Sequence, residues 1–346
     1  MPSNPFLSQK DFIAQHISSL LDPATNKPRF SNVRIVGEGG QGYVAAAHDS
    51  VRGQEVALKI LERRQAENKY AKREIINHSK LRHPHIIRLD ELFLVENSLI
   101  LLMEYANQGD LHRYVFTREK GLDEDEARSL AQQLFLALHY SHLCGIANRD
   151  IKLENILLTA RPGKKPLVKL ADFGFSKDEN NNSSCTSRLG TVHYCAPEIL
   201  VPGDISEPNN NKISYNAKQA DIWSCGVVLY CMLMKQYPFQ SDKDKNLNQI
   251  KKTTVVVKRI ISGEFSVPAH VSEDCQDLLS RMLNINPHER PTSEMIWEHP
   301  WVKVGLKSDM LAFNEKVLNA TNTEKDDEIV QNIRKAIAEA VDSIPA

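Results

Sequence analysis

The segment NRDIKLEN, residues 148–155, brings together three polar side chains suited to phosphoryl transfer. Asp150 could accept or orient the proton of an attacking hydroxyl, Lys152 could neutralise charge on the transferring group, and Asn155 could bind a metal ion. Seventeen residues after Asn155, Asp172 in DFG supplies a second oxygen ligand. Amide and carboxylate oxygens suit a hard cation, so these residues predict a magnesium site.

A glycine-rich segment upstream is suited to holding phosphates. Gly37, Gly39 and Gly42 form G-x-G-x-x-G, and glycines let a backbone approach phosphate oxygens closely. A dinucleotide-binding fold shares this motif but continues into a helix. Here the chain continues as strand through EVALKI, so we predict a hairpin lid. Lys59 in VALK is followed by Glu74 on the next helix, and since a buried ammonium needs an anionic partner we predict that the two pair; taken alone, they would more often be a surface pair.

The elements around these motifs predict an α+β chain with two lobes around a cleft. A region of strands with one helix is followed by a region that is mainly helical. The predicted parts are an N-terminal extension at 1–30, a small strand-rich lobe at 31–106, a larger helical lobe at 107–302 and a C-terminal extension at 303–346. Each extension carries an amphipathic helix, one within 8–21 and one within 323–341.

The composition is typical of a soluble globular protein. The chain has 346 residues, 41% hydrophobic and 25% charged, with a net charge of −1, which argues against a nucleic-acid binder. No secretory signal pattern is visible at the start, and the longest apolar stretch is about half a membrane span. Six cysteines without a CxxC pair predict reduced thiols. We expect a protein of the cytoplasm or nucleus.

Five elements occur in one order: the glycine segment, VALK, NRDIKLEN, DFG, and APE at 196–198. With them, residues 32–302 resemble eukaryotic protein kinases over their full length. The stretches REIINHSKLRHPHIIRL, DIKLENILL, ADFGFSK and LLSRMLNINPHERPT resemble the sucrose-non-fermenting-related and AMP-activated kinases, most closely the plant branch that responds to osmotic stress and abscisic acid. The resemblance implies a serine/threonine kinase that uses ATP and Mg²⁺ in stress or metabolic signalling.

The resemblance also implies roles for individual residues. Met103 is implied as the gatekeeper, and 104–106 as the hinge that binds adenine. Asp221 is implied to hydrogen-bond the catalytic-loop backbone, and Glu198 to pair with Arg290. The full set of expected ATP-binding residues is Val36, Gly37, Glu38, Gly39, Gly40, Gln41, Gly42, Tyr43, Val44, Ala57, Lys59, Met103, Glu104, Ala106 and Asp110.

Activation by an upstream kinase, reversed by a phosphatase, is implied for the loop between DFG and APE. Ser187 matches the family's activating phosphosite, and Arg149 and Lys177 are the expected partners of its phosphate. The competing hydroxyls are Ser183, Ser184 and Thr186.

Substrate preference depends on two acidic residues. Glu154 and Asp110 resemble carboxylates that kinases of this group place beside a basic residue upstream of the target. For Asp110, contact with ribose and simple exposure to water are the alternatives. The expected partners are therefore protein substrates with arginine or lysine near position −3.

Asn148 departs from the family pattern, which has histidine before the Arg-Asp pair. That histidine transfers no proton and packs beneath the DFG phenylalanine. Asn148 therefore indicates either a damaged or specially regulated centre or a tolerated packing substitution. We favour the second interpretation because the expected phosphate and metal ligands are all present. The alternative function is a pseudokinase that binds partners without transferring phosphate.

Overall fold

The computed structural model describes residues 9–39, 42–62, 68–95, 98–173, 191–201, 215–268, 270–306, 312–321 and 324–342. The chain divides into two compact units. The first unit consists of Met1–Arg82, Ile87–Ala106 and Thr321–Ala346, and the second consists of His83–Ile86 and Asn107–Ala320.

The first unit is built on a five-stranded antiparallel sheet, and helices flank it. The sheet order is β1-β2-β3-β5-β4. The strands are β1 Phe30–Gly39, β2 Gly42–Asp49, β3 Gln54–Glu62, β4 Leu89–Val95 and β5 Ser98–Glu104. Helices α1 Gln9–Ser18 and α2 Lys69–Ser79 belong to the same unit. This sheet and the helical second unit give the predicted α+β class.

The sheet buries one face under the N-terminal helix. Val56, Leu58 and Ile60 alternate along β3 and share a core cluster with Ile17 of α1, which is 1% exposed. Successive strand residues point to opposite faces, so Ala57 and Lys59 lie on the other face. The N-terminal extension therefore completes the core on the side away from Lys59.

The second unit is mainly helical and contains one β-hairpin. Its strands β6 Ile156–Thr159 and β7 Leu167–Leu170 pair antiparallel. Its helices are α3 Leu111–Phe116, α4 Glu124–Leu143, α5 Pro197–Leu200, α6 Ala217–Met234, α7 Gln249–Ser262, α8 Glu273–Met282, α9 Ser293–Glu298, α10 Pro300–Lys303 and α11 Phe313–Thr321. Short 3₁₀ turns occur at Leu153–Asn155, Thr191–Tyr194 and Asp242–Asp244.

Helix α6 forms the centre of this unit. It is apolar around its circumference, as expected of a helix surrounded by other elements, and Trp223 is fully buried. Its first turn is capped by Asn216, which accepts hydrogen bonds from the backbone of Lys218 and Gln219. This helix also carries Asp221, so its burial fixes a carboxylate in the interior.

The C-terminal extension contacts each unit through a different helix. In the second unit, Asn314 of α11 is 2% exposed and donates to the carbonyl of Leu136 across 3.0 Å. Its Oδ1 lies 3.2 Å from Nε2 of His83, whose pKa burial lowers to about 3, so this imidazole is neutral. In the first unit, α12 Glu324–Asp342 packs against α2 and β4, with Ile333 and Ile337 buried.

None of the helices in the described ranges is long and apolar enough to cross a membrane. The cysteines described there are free thiols.

Candidate active site

The glycine segment forms the predicted hairpin. Glu38 pairs with Tyr43, and Gly37 with Val44, across β1 and β2. Gly42 has a φ of +135°, and a Cβ at this position would lie 2.0 Å from the carbonyl oxygen of Ile60. Only glycine fits there, so the third glycine of the motif is required by the sheet itself. Gly40 and Gln41 lie outside the described residues.

Lys59 carries a buried ammonium on the open face of the sheet. It is 7% exposed, and its register partners are Val44 on β2 and Leu101 on β5. Burial of a charged group is tolerated only with an anionic partner. The Glu74 carboxylate and the oxygens of a phosphate both carry the negative charge that such a partner needs.

Glu74 lies in the middle of α2 and is half-buried. The orientation of α2 is fixed by neighbouring side chains in the same unit. Ile75 is fully buried, and His78, four residues after Glu74, makes a 2.7 Å hydrogen bond with the carbonyl of Ile87. Residues four apart share a helix face, so Glu74 and His78 lie on the same side of α2.

The predicted hinge follows β5. Met103 pairs in register with Ala57, and the two are 9% and 8% exposed. The backbone N–H of Glu104 donates to the carbonyl of Arg88 across 3.0 Å, which fixes the end of the strand. Ala106 is also buried. Met103 and Ala57 therefore lie side by side on the interior strands β5 and β3, and Glu104 and Ala106 follow Met103 along the chain.

The catalytic-loop residues form a compact cluster in the second unit. Nζ of Lys152 lies 2.7 Å from Oδ2 of Asp150. Nδ2 of Asn155 donates to the same carboxylate oxygen across 2.8 Å and to the backbone carbonyl of Asp150 across 2.9 Å. The Asp150 side chain is 13% exposed, so the carboxylate is fixed yet reachable by a substrate hydroxyl.

The arrangement of Asn155 fits a metal ligand. Both side-chain hydrogen bonds use Nδ2, which leaves Oδ1 for a cation. The backbone N–H of Ala171 donates to the carbonyl of Asn155 across 2.9 Å, so Asp172 follows directly beside it. No group of three acidic, histidine or cysteine side chains suited to a metal occurs in the described ranges. Mg²⁺ prefers six oxygen ligands, so the Asn155 amide and the Asp172 carboxylate would hold it together with the phosphate oxygens of a nucleotide and water.

The buried carboxylate of Asp221 binds the backbone of the catalytic loop. Its carboxylate accepts hydrogen bonds from the backbone N–H groups of Asn148 and Arg149, each across 2.8 Å, which confirms the predicted contact. His142 Nε2 lies 3.0 Å from the same carboxylate, a partner that the sequence did not indicate. Arg149 has a φ of +66°, an unfavourable conformation for a residue with a side chain. The hydrogen bonds to Asp221 maintain it.

Asn148 makes polar contacts, so its description as a packing residue is incomplete. It is fully buried. Its Oδ1 accepts from the backbone N–H of Asp150 across 3.1 Å, and its Nδ2 donates to the carbonyl of Asp172 across 3.1 Å. The side chain thus joins the catalytic loop to the DFG segment.

Glu198 and Arg290 form the predicted pair. The guanidinium donates two hydrogen bonds to the carboxylate, of 2.7 and 2.6 Å. The Arg290 side chain is fully buried and lies over the ring of Trp223 at 5.0 Å. This bidentate contact connects the APE segment to the loop before α9.

The two acidic residues expected to contact substrates differ in their contacts. Glu154 is exposed, and the Tyr194 hydroxyl donates to its Oε2 across 3.4 Å. Asp110 is half-buried and caps α3 by accepting the backbone N–H of Arg113 across 2.7 Å. Tyr194, which the sequence did not single out, also contacts the N–H of Leu153.

The hydroxyls predicted to be phosphorylation sites, Ser183, Ser184, Thr186 and Ser187, lie outside the described residues, as does Lys177.

Comparison with known proteins agrees with this geometry. A family model described as protein kinase domain matches residues 30–302. The serine/threonine-protein kinase SRK2E of Arabidopsis thaliana is 35% identical over 314 residues, which cover 90% of this chain and 82% of that protein. SRK2A of Physcomitrium patens is 36% identical over 314 residues, with 90% and 85% covered. SAPK9 of Oryza sativa subsp. japonica is 36% identical over 323 residues, with 92% and 83% covered.

Proposed function

Because the chain belongs to the protein kinase family, we propose that it transfers the γ-phosphate of ATP to serine and threonine hydroxyls of other proteins, with Mg²⁺ as cofactor. The observation that carries this proposal is the cluster of Asp150, Lys152 and Asn155, in which one carboxylate oxygen receives both an ammonium and an amide.

Each residue has a role that follows from its contacts. Asp150 orients the substrate hydroxyl and takes its proton, because its carboxylate is fixed and accessible. Lys152 lies against that carboxylate and neutralises negative charge that develops on the transferring group. Asn155 and Asp172 hold Mg²⁺, which, when bound, offsets the charge of the phosphate oxygens.

The first unit supplies the nucleotide contacts. The glycine hairpin, Ala57, Met103 and the hinge at 104–106 bind ATP in this proposal, and Lys59 holds its phosphates. Glu74 on α2 orients Lys59. The buried ammonium of Lys59 on the central strand β3, with the small residue Ala57 two positions before it on the same face, supports the assignment.

The pseudokinase alternative rested on Asn148. Both polar atoms of its side chain have hydrogen-bond partners, one in the catalytic loop and one in the DFG segment. No contact of Asn148 disrupts Asp150, Asn155 or Asp172, so the substitution gives no reason to expect an inactive centre.

We infer that substrates carry a basic residue upstream of the target hydroxyl. Glu154 offers an exposed carboxylate two residues after Lys152, and Tyr194 orients it. The second acidic residue, Asp110, already caps α3 through one oxygen. Glu154 is therefore the stronger candidate for contact with the substrate's arginine or lysine.

We also propose regulation by phosphorylation in the activation loop, at Ser187 in preference to Ser183 or Thr186, in cytoplasmic or nuclear stress signalling. The resemblance to the stress-responsive plant kinases supports this pathway. Arg149 directly precedes Asp150, so a phosphate bound by its guanidinium would stabilise the catalytic loop itself.

A kinase assay with Asp150→Ala tests the proposed function. The purified protein is incubated with labelled ATP, Mg²⁺ and a serine peptide that has arginine at −3. We expect kcat to fall by about 10²-fold to 10⁴-fold with little change in the KM for ATP. Asp125→Ala, whose side chain is 86% exposed, is the control and should behave as wild type. Equal turnover by Asp150→Ala and wild type would refute the assignment of the base.

A further inference from the structure

Helix α7 carries a line of apolar side chains on its solvent side. Ile250 at its start is 80% exposed, and Ile261 near its end is 40% exposed. Between them Thr254 is exposed and Val257 is half-buried. The Thr254 hydroxyl donates to the carbonyl of Ile250 across 2.9 Å, so the methyl group is the part of this side chain left to the surface. These four side chains, which we call the α7 stripe, extend over about 16 Å of the helix.

A different side of α7 anchors it to the second unit. Val256 and Ile260 are 3% and 0% exposed, and the helix packs against α5 and the turn Thr191–Tyr194. With about 3.6 residues per turn, these two buried positions lie about 110° around the helix from the middle of the α7 stripe. The stripe is therefore a separate surface and not the edge of the core.

Two lysines flank the α7 stripe. Lys251 and Lys258 each directly follow a residue of the stripe, and both are exposed. The sequence of α7 contains no acidic residue. Within the described ranges, ion pairing in α7 involves Arg259, whose Nη2 lies 3.0 Å from Oδ1 of Asp244, and neither lysine has such a partner. The stripe therefore lies beside positive charge that no described carboxylate pairs with.

The spacing of the α7 stripe matches the seam between two paired helices. Its intervals are 4, 3 and 4 residues, which is the alternation of a and d positions in a heptad repeat. The residue after each d position is an e position, where charged side chains form salt bridges to the partner helix. In this heptad frame Ile250 and Val257 are at d, Thr254 and Ile261 at a, and Lys251 and Lys258 at e.

We propose that the α7 stripe binds an amphipathic helix of a partner protein, and that acidic residues border the apolar seam of that helix. Apolar side chains of the partner would pack on the stripe, and its carboxylates would pair with Lys251 and Lys258. Charge complementarity of this kind selects one partner helix over others. The inference goes beyond the proposed phosphoryl transfer and does not depend on it.

Two other occupants fit this surface less well. Antiparallel pairing with a second copy of α7 would bring the e-position lysines together, and parallel pairing would oppose them with Thr253 and Ile260 at g. A membrane-bound helix presents a wide apolar face that often carries aromatic residues. A line of a and d positions is narrower than such a face, and α7 contains no aromatic residue.

Two synthetic helical peptides test the proposal. Each has three heptads with leucine at a and d, and one carries glutamate at e and g where the other carries lysine. The full-length protein is titrated into each fluorescently labelled peptide, and binding is followed by anisotropy. We expect the glutamate peptide to bind with a Kd of about 10 to 100 µM, and the lysine peptide to bind at least about 10-fold more weakly. Added salt should weaken binding of the glutamate peptide, because exposed charges are screened.

Exchange of charge on the protein should reverse this preference. With Lys251→Glu and Lys258→Glu combined, the lysine peptide should bind more tightly than the glutamate peptide. Lys120→Glu combined with Lys164→Glu makes the same change in net charge at exposed positions elsewhere in the second unit, and should keep the wild-type preference. Both double variants should retain the melting temperature and kcat of wild type, because all four side chains are exposed.

The outcomes are distinct. Absence of glutamate-peptide binding up to about 1 mM would overturn the proposal. Equal binding of both peptides, or an unchanged preference after the Lys251 and Lys258 exchange, would also overturn it. Co-sedimentation with phosphatidylserine vesicles and analytical ultracentrifugation test the other occupants. Vesicle binding or dimerisation that Ile250→Ser abolishes, without binding of the glutamate peptide, would replace the partner helix by a lipid surface or a second copy.

Discussion

Nε of Arg82 donates a hydrogen bond to Oδ1 of Asp326 across 3.0 Å. Arg82 follows the end of α2 and is 8% exposed, and Asp326 lies in the first turn of α12. The pair therefore fixes where the C-terminal helix begins on the first unit. Because α2 also carries Glu74, a change in α12 is expected to reach the proposed active site.

Deletion of residues 323–346 should lower both thermal stability and basal kinase activity. The deletion removes the helix that covers α2 and β4 and leaves the Arg82 guanidinium without its carboxylate. Thermal unfolding and turnover of the truncated protein test this expectation. Unchanged melting temperature and unchanged turnover would show that α12 does not support α2.

Ile333→Ala isolates the packing of this helix. Ile333 is 1% exposed, and removal of such a side chain should destabilise the protein by about 2 to 5 kcal/mol. Lys335→Ala is the control, because that side chain is 77% exposed and should change stability by less than about 0.5 kcal/mol. Chemical denaturation of both variants provides the comparison, and equal effects would contradict the observed orientation of α12.

Ile17→Ala tests whether the N-terminal helix belongs to the core of the first unit. The side chain shares a buried cluster with Val56, Leu58 and Ile60, so we expect a loss of about 2 to 5 kcal/mol. The KM for ATP should not change, since the cluster lies on the sheet face opposite Lys59. Gln15→Ala, at an exposed position of the same helix, is the control. A stable Ile17→Ala protein would mean that α1 is dispensable.

Glu154→Gln should weaken the preference for basic substrates. The substitution keeps the size of the side chain and its contact with Tyr194 but removes the negative charge. For a peptide with arginine at −3, we expect KM to rise about 10-fold, the effect of losing one charge-assisted hydrogen bond. For the same peptide with alanine at −3, wild type and variant should have equal KM values. A uniform rise for both peptides would show that Glu154 does not contact the basic residue.

Ser187→Ala should reduce activity while leaving nucleotide binding intact. The expected cause is loss of a phosphate that Arg149 would bind next to Asp150. Ser183→Ala and Thr186→Ala are matched variants of the same loop and should have smaller effects. Mass spectrometry of the active protein that finds Ser187 unmodified would rule out this site.

Short-range sequence pattern was sufficient for the motifs and for many of the elements. The G-x-G-x-x-G segment followed by further strand predicted a hairpin, and β1 and β2 form it, because strand continuation after the glycines excludes a helix start. The apolar stripe of 323–341 predicted an amphipathic helix, and its buried positions Ile333 and Ile337 lie on that stripe. Resemblance to the family added the pairing of Glu198 with Arg290, which residues 92 positions apart would not reveal by spacing.

Tertiary structure alone determined how the less obvious residues act. The sequence marked Asn148 as a departure, but its donor and acceptor roles depend on the carbonyl of Asp172 and the N–H of Asp150, which the fold of the loop brings to one point. His142 and Tyr194 gave no signal, because a polar contact with a residue as distant in sequence as Asp221 or Glu154 leaves no local pattern in the chain. The sequence specified which residue types were available for the chemistry. A hydrogen bond forms only where its donor and acceptor atoms lie about 3 Å apart, and only the folded chain brings distant segments to that distance.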